Sequence, residues 1–418
     1  MTIDHESPIA IVARVDYDLL LRDGKIIEPL RGRPLIFIHS VRTSRLPPLE
    51  SCAELHLIEL RDCNDYLTQL LRVIMSRHSL SQVLTISEQD LSPVVAARNA
   101  LGFSSISVSQ AELYRDKVAM KRALDGCGIR IPAFADGVDD KGIRQLFTRY
   151  GKLVAKPRDG YGAQGISVLS KPSDVDAFLE WQNSRRCGYL VEQFVNGDVH
   201  HLDAVVRNGE ILFSSLGRYE VAPLNFSGRR WAGTRFTNRK DAIHKAACDL
   251  LSTILRAFGT LDGVFHFEFF FSDGILTFGE IAIRPVGGGV AEAIYDAFGV
   301  HLVEEHVRIQ LGLPPGTASS REEIAYGASL LMLSEVPGVI SGYEGLDANL
   351  YRSLKRVNYH RVKGEWVAPT RYSADSLLTC SLAASNANVL DADIFAIQRT
   401  ACVVLSQVQE TADARSPD

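Results

Sequence analysis

Residues 264–282 read Val-Phe-His-Phe-Glu-Phe-Phe-Phe-Ser-Asp-Gly-Ile-Leu-Thr-Phe-Gly-Glu-Ile-Ala, and this stretch decides the fold. Two strand-like runs flank Ser272-Asp273-Gly274, which predicts an antiparallel hairpin. If the turn is centred on Gly274, Glu268 and Glu280 are equidistant from it and lie opposite each other. Their carboxylates then project from one face of the hairpin, with Cβ atoms about 5 Å apart.

The two glutamates interrupt an apolar run, where an unbalanced charge is costly. Facing carboxylates repel each other unless a proton or a cation lies between them. Carboxylate oxygens suit Mg²⁺, which typically takes one or two carboxylates together with substrate phosphates. The pair Glu268 and Glu280 therefore predicts a Mg²⁺ site, with Mn²⁺ as an alternative ion. Two other interpretations stay open, namely an ion pair with Arg284 and a carboxylate pair for glycoside hydrolysis.

A second motif lies upstream, at residues 154–166, which read Val-Ala-Lys-Pro-Arg-Asp-Gly-Tyr-Gly-Ala-Gln-Gly-Ile. Its spacing matches the dinucleotide fingerprint, but that fingerprint needs a helix directly after the turn. Ile166–Leu169 is short and rich in β-branched residues, so it predicts a strand. The motif is therefore interpreted as a hairpin loop that covers phosphates, with Lys156 on the preceding strand; a plain glycine hairpin stays open. The three glycines are Gly160, Gly162 and Gly165.

Arg284 follows the second glutamate and is itself followed by Pro285-Val286-Gly287-Gly288-Gly289. A guanidinium beside three glycines offers a fork for a carboxylate and backbone donors for a developing oxyanion. The alternative is a surface arginine next to a glycine-rich turn.

The remaining sequence indicates a multidomain chain of mixed α/β and α+β class. Apolar runs alternate with helix-like stretches over the first hundred residues, which favours a parallel sheet covered by helices. The last hundred residues are mixed α+β and carry no chemical motif. Further predicted strands are Ile9–Ala13, Leu35–His39, Glu54–Leu60, Val83–Ile86, Leu153–Lys156, Tyr189–Phe194, His200–Arg207 and Glu210–Leu216. Predicted helices are Cys63–Arg77, Leu91–Leu101, Asp116–Cys127, Val175–Gln182, Ala242–Phe258 and Ala291–Gln310.

Composition narrows the class of protein. The chain has 418 residues, 46% of them hydrophobic, and a net charge of -5, so charge predicts neither a nucleic-acid nor a membrane surface. No apolar run reaches the roughly 20 residues that span a bilayer, and no signal peptide is predicted. The seven scattered cysteines fit reduced thiols and a cytoplasmic location.

Taken in order, the segments from about Tyr114 to about Gln310 resemble the ATP-grasp superfamily, and within it the dipeptide-forming L-amino acid ligases and carnosine synthase-like enzymes. The resemblance implies an ATP-grasp fold that follows a Rossmann-like, parallel-sheet N-terminal domain. It implies four segments: an N-terminal α/β domain at 1–112, a small ATP-grasp subdomain at 113–187, a large one at 188–316, and an α+β region at 317–418.

The resemblance also implies roles for individual residues. Lys117, in Tyr-Arg-Asp-Lys, contacts the α-phosphate side of ATP, and Lys156 is shared between phosphate and adenine. Glu268 and Glu280 bind the metal, and Arg284 binds the substrate carboxylate and the acyl phosphate. The loop residues over the β- and γ-phosphates are Gly160, Gly162, Gln164 and Gly165. The adenine segment is Glu192, Gln193, Phe194 and Val195, followed near ribose and phosphate by Asp198 and His201. The catalytic set is Arg284, Lys156, Gly288 and Gly289.

Two further features bear on metal binding. Many ATP-grasp enzymes carry an asparagine two residues after the second glutamate, where this chain has Ala282, so the ligands of a second Mg²⁺ are left open. His200, His201 and His266 invite a zinc interpretation, but the His-His-x-Asp run puts only His201 and Asp203 on one face. Two ligands with no evident third do not predict zinc.

The implied activity is ATP-dependent ligation of a carboxylate to an amine through an acyl phosphate, with amino acids or similar small molecules as substrates and ADP and phosphate as products. Another ATP-grasp activity, such as carboxylation or acyl loading onto a carrier protein, is an alternative. A non-catalytic nucleotide-binding protein is a further one. No nucleic-acid or membrane partner is predicted, and a homodimer is the default oligomer.

Overall fold

The computed structural model of the chain describes residues 7–59, 64–185, 188–316 and 326–406. These residues fall into two units. The first lies within Met1–Arg218, Thr237–Val286 and Gly299–Ser320, and the second within Tyr219–Phe236, Gly287–Phe298 and Arg321–Asp418. Among the described helices, none is both long and apolar enough to cross a membrane.

A parallel sheet in the order β5-β4-β1-β6 forms the N-terminal part of the first unit, as predicted. The strands are β1 (Ile9–Ala13), β2 (Leu21–Arg22), β3 (Lys25–Ile26), β4 (Leu35–Ser40), β5 (Glu54–Ile58) and β6 (Gln82–Thr85). The helices are α1 (Asn64–Met75) and α2 (Leu91–Leu101). β1 is buried along its whole length because α1 and α2 cover one face of the sheet and apolar residues of 17–30 and 303–311 cover the other, which explains its continuous apolar sequence. β2 and β3 form a separate small hairpin.

The next sheet, in the order β7-β10-β8-β9, is antiparallel. β9 pairs with β8 as a hairpin, so a strand follows the glycine-rich loop and the prediction is confirmed. Helices α5 and α6 pack against this sheet through an apolar core. The elements are α3 (Val108–Glu112), α4 (Lys117–Leu124), β7 (Phe134–Asp136), α5 (Asp140–Tyr150), β8 (Leu153–Pro157), β9 (Ser167–Leu169), α6 (Pro172–Arg185) and β10 (Tyr189–Gln193).

Residues 198–310 contribute elements to both units. They are β11 (Asp198–Arg207), β12 (Glu210–Tyr219), β13 (Trp231–Phe236), α7 (Ala242–Phe258), β14 (Gly263–Ser272), β15 (Ile275–Ala282), α8 (Val290–Phe298) and α9 (Leu302–Gln310). In the first unit the strand order is β15-β14-β11-β12. Asn208 and Gly209, with φ of 50° and 76°, make the predicted tight turn between β11 and β12. The core beneath these strands is formed by α4, α7 and the phenylalanines of β14.

The second unit is mixed α+β, as predicted for the C-terminal region. Its antiparallel strands run in the order β13-β16-β20-β18, with a second sheet in the order β19-β17-β21. The helix α10 packs on their apolar face. The remaining elements are β16 (Tyr326–Met332), β17 (Gly338–Glu344), β18 (Leu354–Tyr359), β19 (Trp366–Val367), β20 (Leu378–Ala384), α10 (Ala387–Thr400) and β21 (Cys402–Ser406).

Several predicted boundaries differ from the observed ones. The helix predicted over Asp116–Cys127 spans Lys117–Leu124, because Asp116 is its N-cap and Asp125 is already extended, with ψ of 131°. The region predicted as mostly helix over Ala291–Gln310 consists of two helices, α8 and α9, separated at Gly299, whose φ is 75°. Cys63 and Leu60 lie outside the described residues. The predicted boundary between the small and large subdomains lies between residues 187 and 188. In the structure β10 follows this boundary but pairs with β7 and β8, which precede it.

Candidate active site

The hairpin of β14 and β15 places Glu268 directly opposite Glu280, as predicted, but by a different route. The turn is formed by Asp273 and Gly274, with φ of 52° and 77°, so Ser272 pairs with Ile275. A β-bulge then shifts the register by one residue between Phe269 and Glu268. The predicted turn centre at Gly274 is therefore wrong, because the extra residue lies in β15 rather than in the turn.

Gly279 is the extra residue of this bulge. Phe278 pairs with Phe269, whereas Glu280 pairs with Glu268, so Gly279 is left without a partner in the register. A Cβ at Gly279 would lie 2.8 Å from the carbonyl oxygen of Glu268, which is too close for any other residue. The bulge also lets Phe278 and Ile281 both point into the core. Glu280 is thereby turned to the opposite face.

The alternation of β14 explains why a phenylalanine run tolerates an acidic residue. Phe265, Phe267 and Phe269 are fully buried in the core. His266 and Glu268 occupy the other face, where Glu268 keeps 21% of its side chain exposed and Glu280 keeps 32%. The paired oxygen donors on this partly open face fit the ligand set of Mg²⁺.

Helix α4 begins beside this pair, and Asp116 fixes its first turn. The Asp116 carboxylate accepts hydrogen bonds from the backbone N–H groups of Val118 and Ala119 at 2.8 and 3.1 Å. It also binds the Arg158 guanidinium, with Nε 2.9 Å from Oδ2. Despite burial, these contacts hold the pKa of Asp116 below its usual range. One carboxylate therefore ties the helix N-terminus to the strand end that carries the glycine-rich loop.

Lys117, the first residue of α4, reaches both the loop and the glutamate pair. Its Nζ donates to the carbonyl oxygen of Gly160 at 2.6 Å and lies 3.1 Å from Oε2 of Glu280. Burial raises the pKa of Glu280, but Lys117 and Lys156 outweigh this and lower it. The structure thus brings the predicted first lysine to the predicted metal ligand.

The glycine-rich loop makes a tight path between β8 and β9. Gly162, Ala163 and Gly165 have φ of 59°, 62° and 71°, a region that favours glycine. The Tyr189 hydroxyl donates to the carbonyl oxygen of Gly165 at 3.0 Å. Gly162 and Gly165 are exposed, and Gln164 is half-buried.

Glu192 binds two buried lysines. Its Oε1 lies 2.7 Å from Nζ of Lys156, and its Oε2 lies 3.0 Å from Nζ of Lys121. Burial raises the pKa of Glu192, but the two lysines outweigh this and lower it. Burial lowers the pKa of Lys121, whereas Glu192 and Glu280 outweigh burial at Lys156 and raise its pKa. The Glu192 carboxylate is therefore held by two lysines.

The other residues predicted to bind the nucleotide differ in their hydrogen bonds and in their exposure to solvent. The N–H of Gln193 donates to Ala133 O at 2.8 Å, and that of Phe194 donates to Lys152 O at 3.1 Å. Val195 is half-buried. Asp198 is exposed beside Arg218, with Oδ2 3.3 Å from Nε. His201 is fully buried, so its placement favours a supporting role behind the site.

Arg284 binds Glu88, a residue for which no function was predicted. Arg284 Nε lies 2.7 Å from Glu88 Oε2, and Arg115 binds the other carboxylate oxygen. Arg115 also donates to the carbonyl oxygen of Asp159, at the start of the loop. Burial raises the pKa of Glu88, but Arg284 and Arg115 outweigh this and lower it. Glu88 therefore holds Arg284 in an ion pair.

Gly288 and Gly289 belong to the second unit. Their φ values are 64° and 73°, and Ser329 Oγ donates to the carbonyl oxygen of Gly288 at 3.1 Å. A Cβ at Gly289 would lie 2.8 Å from Cβ of Thr379, so no larger residue fits there.

Sequence interpretation missed Lys121 and Glu88 and underestimated His266. Lys121 stands one helical turn after Lys117, a spacing that signals a shared helix face. Glu88 closely follows the carboxyl end of β6, an edge where parallel sheets commonly bind ligands. His266 supplies the third ligand-type group next to His201 and Asp203, so the expectation of at most two was wrong. The cause is strand pairing, which places Asp203 opposite His266.

A family model described as ATP-grasp domain matches residues 122–293. The L-arginine-specific L-amino acid ligase of Bacillus subtilis is 24% identical over 293 residues, which are 67% of this chain and 70% of that protein. The N5-carboxyaminoimidazole ribonucleotide synthase of Pseudomonas aeruginosa is 27% identical over 259 residues, which are 60% of this chain and 67% of that protein.

Among solved structures, an L-amino acid ligase from Bacillus licheniformis superimposes with a TM-score of 0.78 at 14% identity. The superposition covers 97% of this chain and 100% of that one, so the two share a fold. The chain therefore carries an ATP-grasp domain at residues 122–293 and is similar, over 67% of its length, to an L-amino acid ligase.

Proposed function

We propose that this ATP-grasp ligase joins a small-molecule carboxylate, such as that of an amino acid, to an amine and releases ADP and phosphate. One observation carries the proposal. Lys117 connects the glycine-rich loop to Glu280, which faces Glu268 across the hairpin. A phosphate-covering loop, a cation and an oxygen-donor pair therefore converge at one point, as phosphoryl transfer requires.

The nucleotide half of the reaction depends on charge and position. Mg²⁺ bound by Glu268 and Glu280 would neutralise phosphate charge. Lys117 and Lys156 are buried and fixed by carboxylates, so they are already oriented when the triphosphate arrives. The loop from Gly160 to Gly165 covers the phosphates and excludes water.

The ligation half proceeds in two balanced steps. A substrate carboxylate oxygen attacks the γ-phosphorus, the bond to the β-phosphate oxygen breaks, and an acyl phosphate and ADP result. The amine nitrogen then attacks the acyl carbon, the carbon–oxygen bond to phosphate breaks, and the nitrogen loses a proton. Arg284 is proposed to bind the substrate carboxylate and the acyl phosphate. The backbone N–H groups of Gly288 and Gly289 are proposed donors to the developing oxyanion.

Amino acids are the proposed substrates because the relative of Bacillus subtilis is named an L-amino acid ligase. A second relative is named an N5-carboxyaminoimidazole ribonucleotide synthase, and carboxylation is the alternative left open by the sequence, so bicarbonate is included as a comparison.

The test is a substrate screen. The protein is mixed with ATP, Mg²⁺ and pools of amino acids, phosphate release is recorded, and products are identified by mass spectrometry. We expect ADP, phosphate and a product with a new amide bond. AMP release would rule out the acyl phosphate, and turnover only with bicarbonate would exclude amino acid ligation. Glu280→Gln should lose turnover and keep its circular dichroism spectrum, whereas the exposed Glu112→Gln should retain turnover.

A further inference from the structure

A buried polar network lies directly behind Glu268. It comprises Asp203 and two histidines, His201 and His266, on the neighbouring strands β11 and β14. Oδ2 of Asp203 lies 2.7 Å from Nδ1 of His201, and its Oδ1 lies 2.8 Å from Nδ1 of His266. Both carboxylate oxygens are therefore engaged, each by a different imidazole.

The cost of burying this network suggests that it has a function. His201 and Asp203 have no exposed surface, and His266 has only 6%. A buried carboxylate is unfavourable unless hydrogen bonds satisfy it, and an apolar triad would pack here with no such requirement. The proposed phosphoryl-transfer site does not itself use any of the three side chains.

The network continues into the proposed site through His266. Because its Nδ1 is held by Asp203, the opposite edge of the ring points to Glu268, and Nε2 lies 3.3 Å from Oε1. The residue across from His266 on β15 is Ala282, whose methyl group leaves room for the ring. Many ATP-grasp enzymes have an asparagine at this position, whereas this chain has the small residue Ala282 opposite the imidazole of His266.

A resident metal is the alternative role for these three residues, since their ligand atoms lie within 4.8 Å of one another. The hydrogen-bond distances favour a different explanation. Each Asp203 oxygen already lies at hydrogen-bond distance from an imidazole nitrogen. Carboxylates that bind a metal are in turn typically hydrogen-bonded by neighbouring groups, which is the relation of His266 to Glu268.

We propose that His266, held by Asp203, which His201 binds in turn, is a positioning residue that orients the Glu268 carboxylate for metal-bound nucleotide. The inference rests on the proposed function, because it requires Glu268 to bind the metal. Loss of such a supporting contact typically weakens metal affinity by about 10- to 100-fold. The network then acts on the metal requirement rather than on the fold.

The test compares two substitutions of His266 by their Mg²⁺ requirement. His266→Asn keeps a donor near the Nδ1 position for Asp203 but loses the Nε2 edge, whereas His266→Gln extends a donor towards Glu268. We expect His266→Asn to raise the half-saturating Mg²⁺ concentration at least about 10-fold, with kcat at saturating Mg²⁺ much less affected, and His266→Gln to restore part of the loss. His200→Asn is the control, because His200 lies on the other face of β11 and stacks on Phe269 at 5.5 Å.

Three outcomes decide the matter. A wild-type Mg²⁺ requirement in His266→Asn would overturn the positioning role. Stoichiometric metal in the purified protein that is lost in Asp203→Asn would overturn it in favour of a metal centre. If His266→Asn does not fold, Asp203→Asn is assayed for the same Mg²⁺ shift. Full activity of Glu268→Gln would instead reject the proposed function itself, so the two failures are distinguishable.

Discussion

Glu268 lies opposite Glu280 because β15 carries one extra residue, Gly279, between Phe278 and Glu280. Without this bulge, the two-residue turn at Asp273 and Gly274 would place Glu268 opposite Gly279. Glu280 would then point into the phenylalanine core. A single backbone irregularity therefore creates the proposed metal site, and the site can be abolished without changing either glutamate.

Gly279→Ala is expected to impair the site severely. The added Cβ would meet the Glu268 carbonyl oxygen at 2.8 Å, so the bulge must shift or the strands must separate. We expect at least a tenfold loss of Mg²⁺-dependent ATP turnover and a loss of about 1–3 kcal/mol in the free energy of unfolding. Both are measured by phosphate release and urea denaturation. Gly274→Asn, in the turn of the same hairpin with nothing within 4 Å of its Cβ position, is the control and should retain turnover. Normal activity of Gly279→Ala would show that the register tolerates the added methyl.

In the buried triad of Lys121, Glu192 and Lys156, loss of the glutamate is expected to lower the unfolding free energy more than loss of one lysine. Glu192→Met leaves two buried ammonium groups without their shared counterion, which should cost about 3–5 kcal/mol of unfolding free energy. Lys121→Met leaves Glu192 paired with Lys156 and should cost less. The double variant Lys121→Met/Glu192→Met should be more stable than Glu192→Met alone, because one unpaired charge has been removed. Urea denaturation measures all three, with the exposed Lys141→Met as control. Additive losses would contradict the coupling.

The buried His306 is expected to make the folded chain less stable in acid. It is buried, its Nε2 donates to the carbonyl oxygen of Thr85 at 3.2 Å, and burial lowers its pKa from 6.5 to about 4. As pH falls from about 6.5 towards 4, the unfolded chain takes up a proton at this residue before the folded chain does. Stability contributed by the neutral imidazole is therefore complete above pH 6.5 and declines below it, by about 1.4 kcal/mol per unit of pKa difference.

His306→Gln removes this titration while keeping a donor for Thr85. We expect its unfolding free energy to fall less steeply between pH 7 and 5 than that of the unmodified chain. His39, whose pKa burial also lowers to about 4, leaves some residual slope. The exposed His360→Gln is the control. Identical slopes in all three proteins would exclude His306 as a source of acid sensitivity.

Local pattern was sufficient for much of the fold and for part of the candidate site. The hairpin of β14 and β15 and the strand after the glycine-rich loop could be predicted because turn residues and alternation are encoded within about twenty residues. The bulge at Gly279 was not predicted, since it depends on a close approach of two backbones. The contacts of Lys121 and Glu88 were not predicted either, because their partners lie 71 and 196 residues away along the chain.

Substitution of Glu88 is expected to lower the amount of amide formed per ADP rather than to weaken nucleotide binding. Its carboxylate holds Arg284, the proposed acyl-phosphate residue, and also binds Arg115, which contacts the start of the loop. Glu88→Gln keeps the shape but loses the charge, so Arg284 should be less firmly placed while Lys117 and Lys156 keep their contacts. We expect the KM for ATP to change less than threefold and the amide formed per ADP to fall severalfold, because the acyl phosphate is hydrolysed before the amine attacks. Parallel measurement of ADP and amide separates this from simple destabilisation, which lowers both products equally. If the ratio of amide to ADP is unchanged while the rate falls, Glu88 has a purely structural role. A displaced Arg284 would instead change the fraction of acyl phosphate that is hydrolysed before the amine attacks.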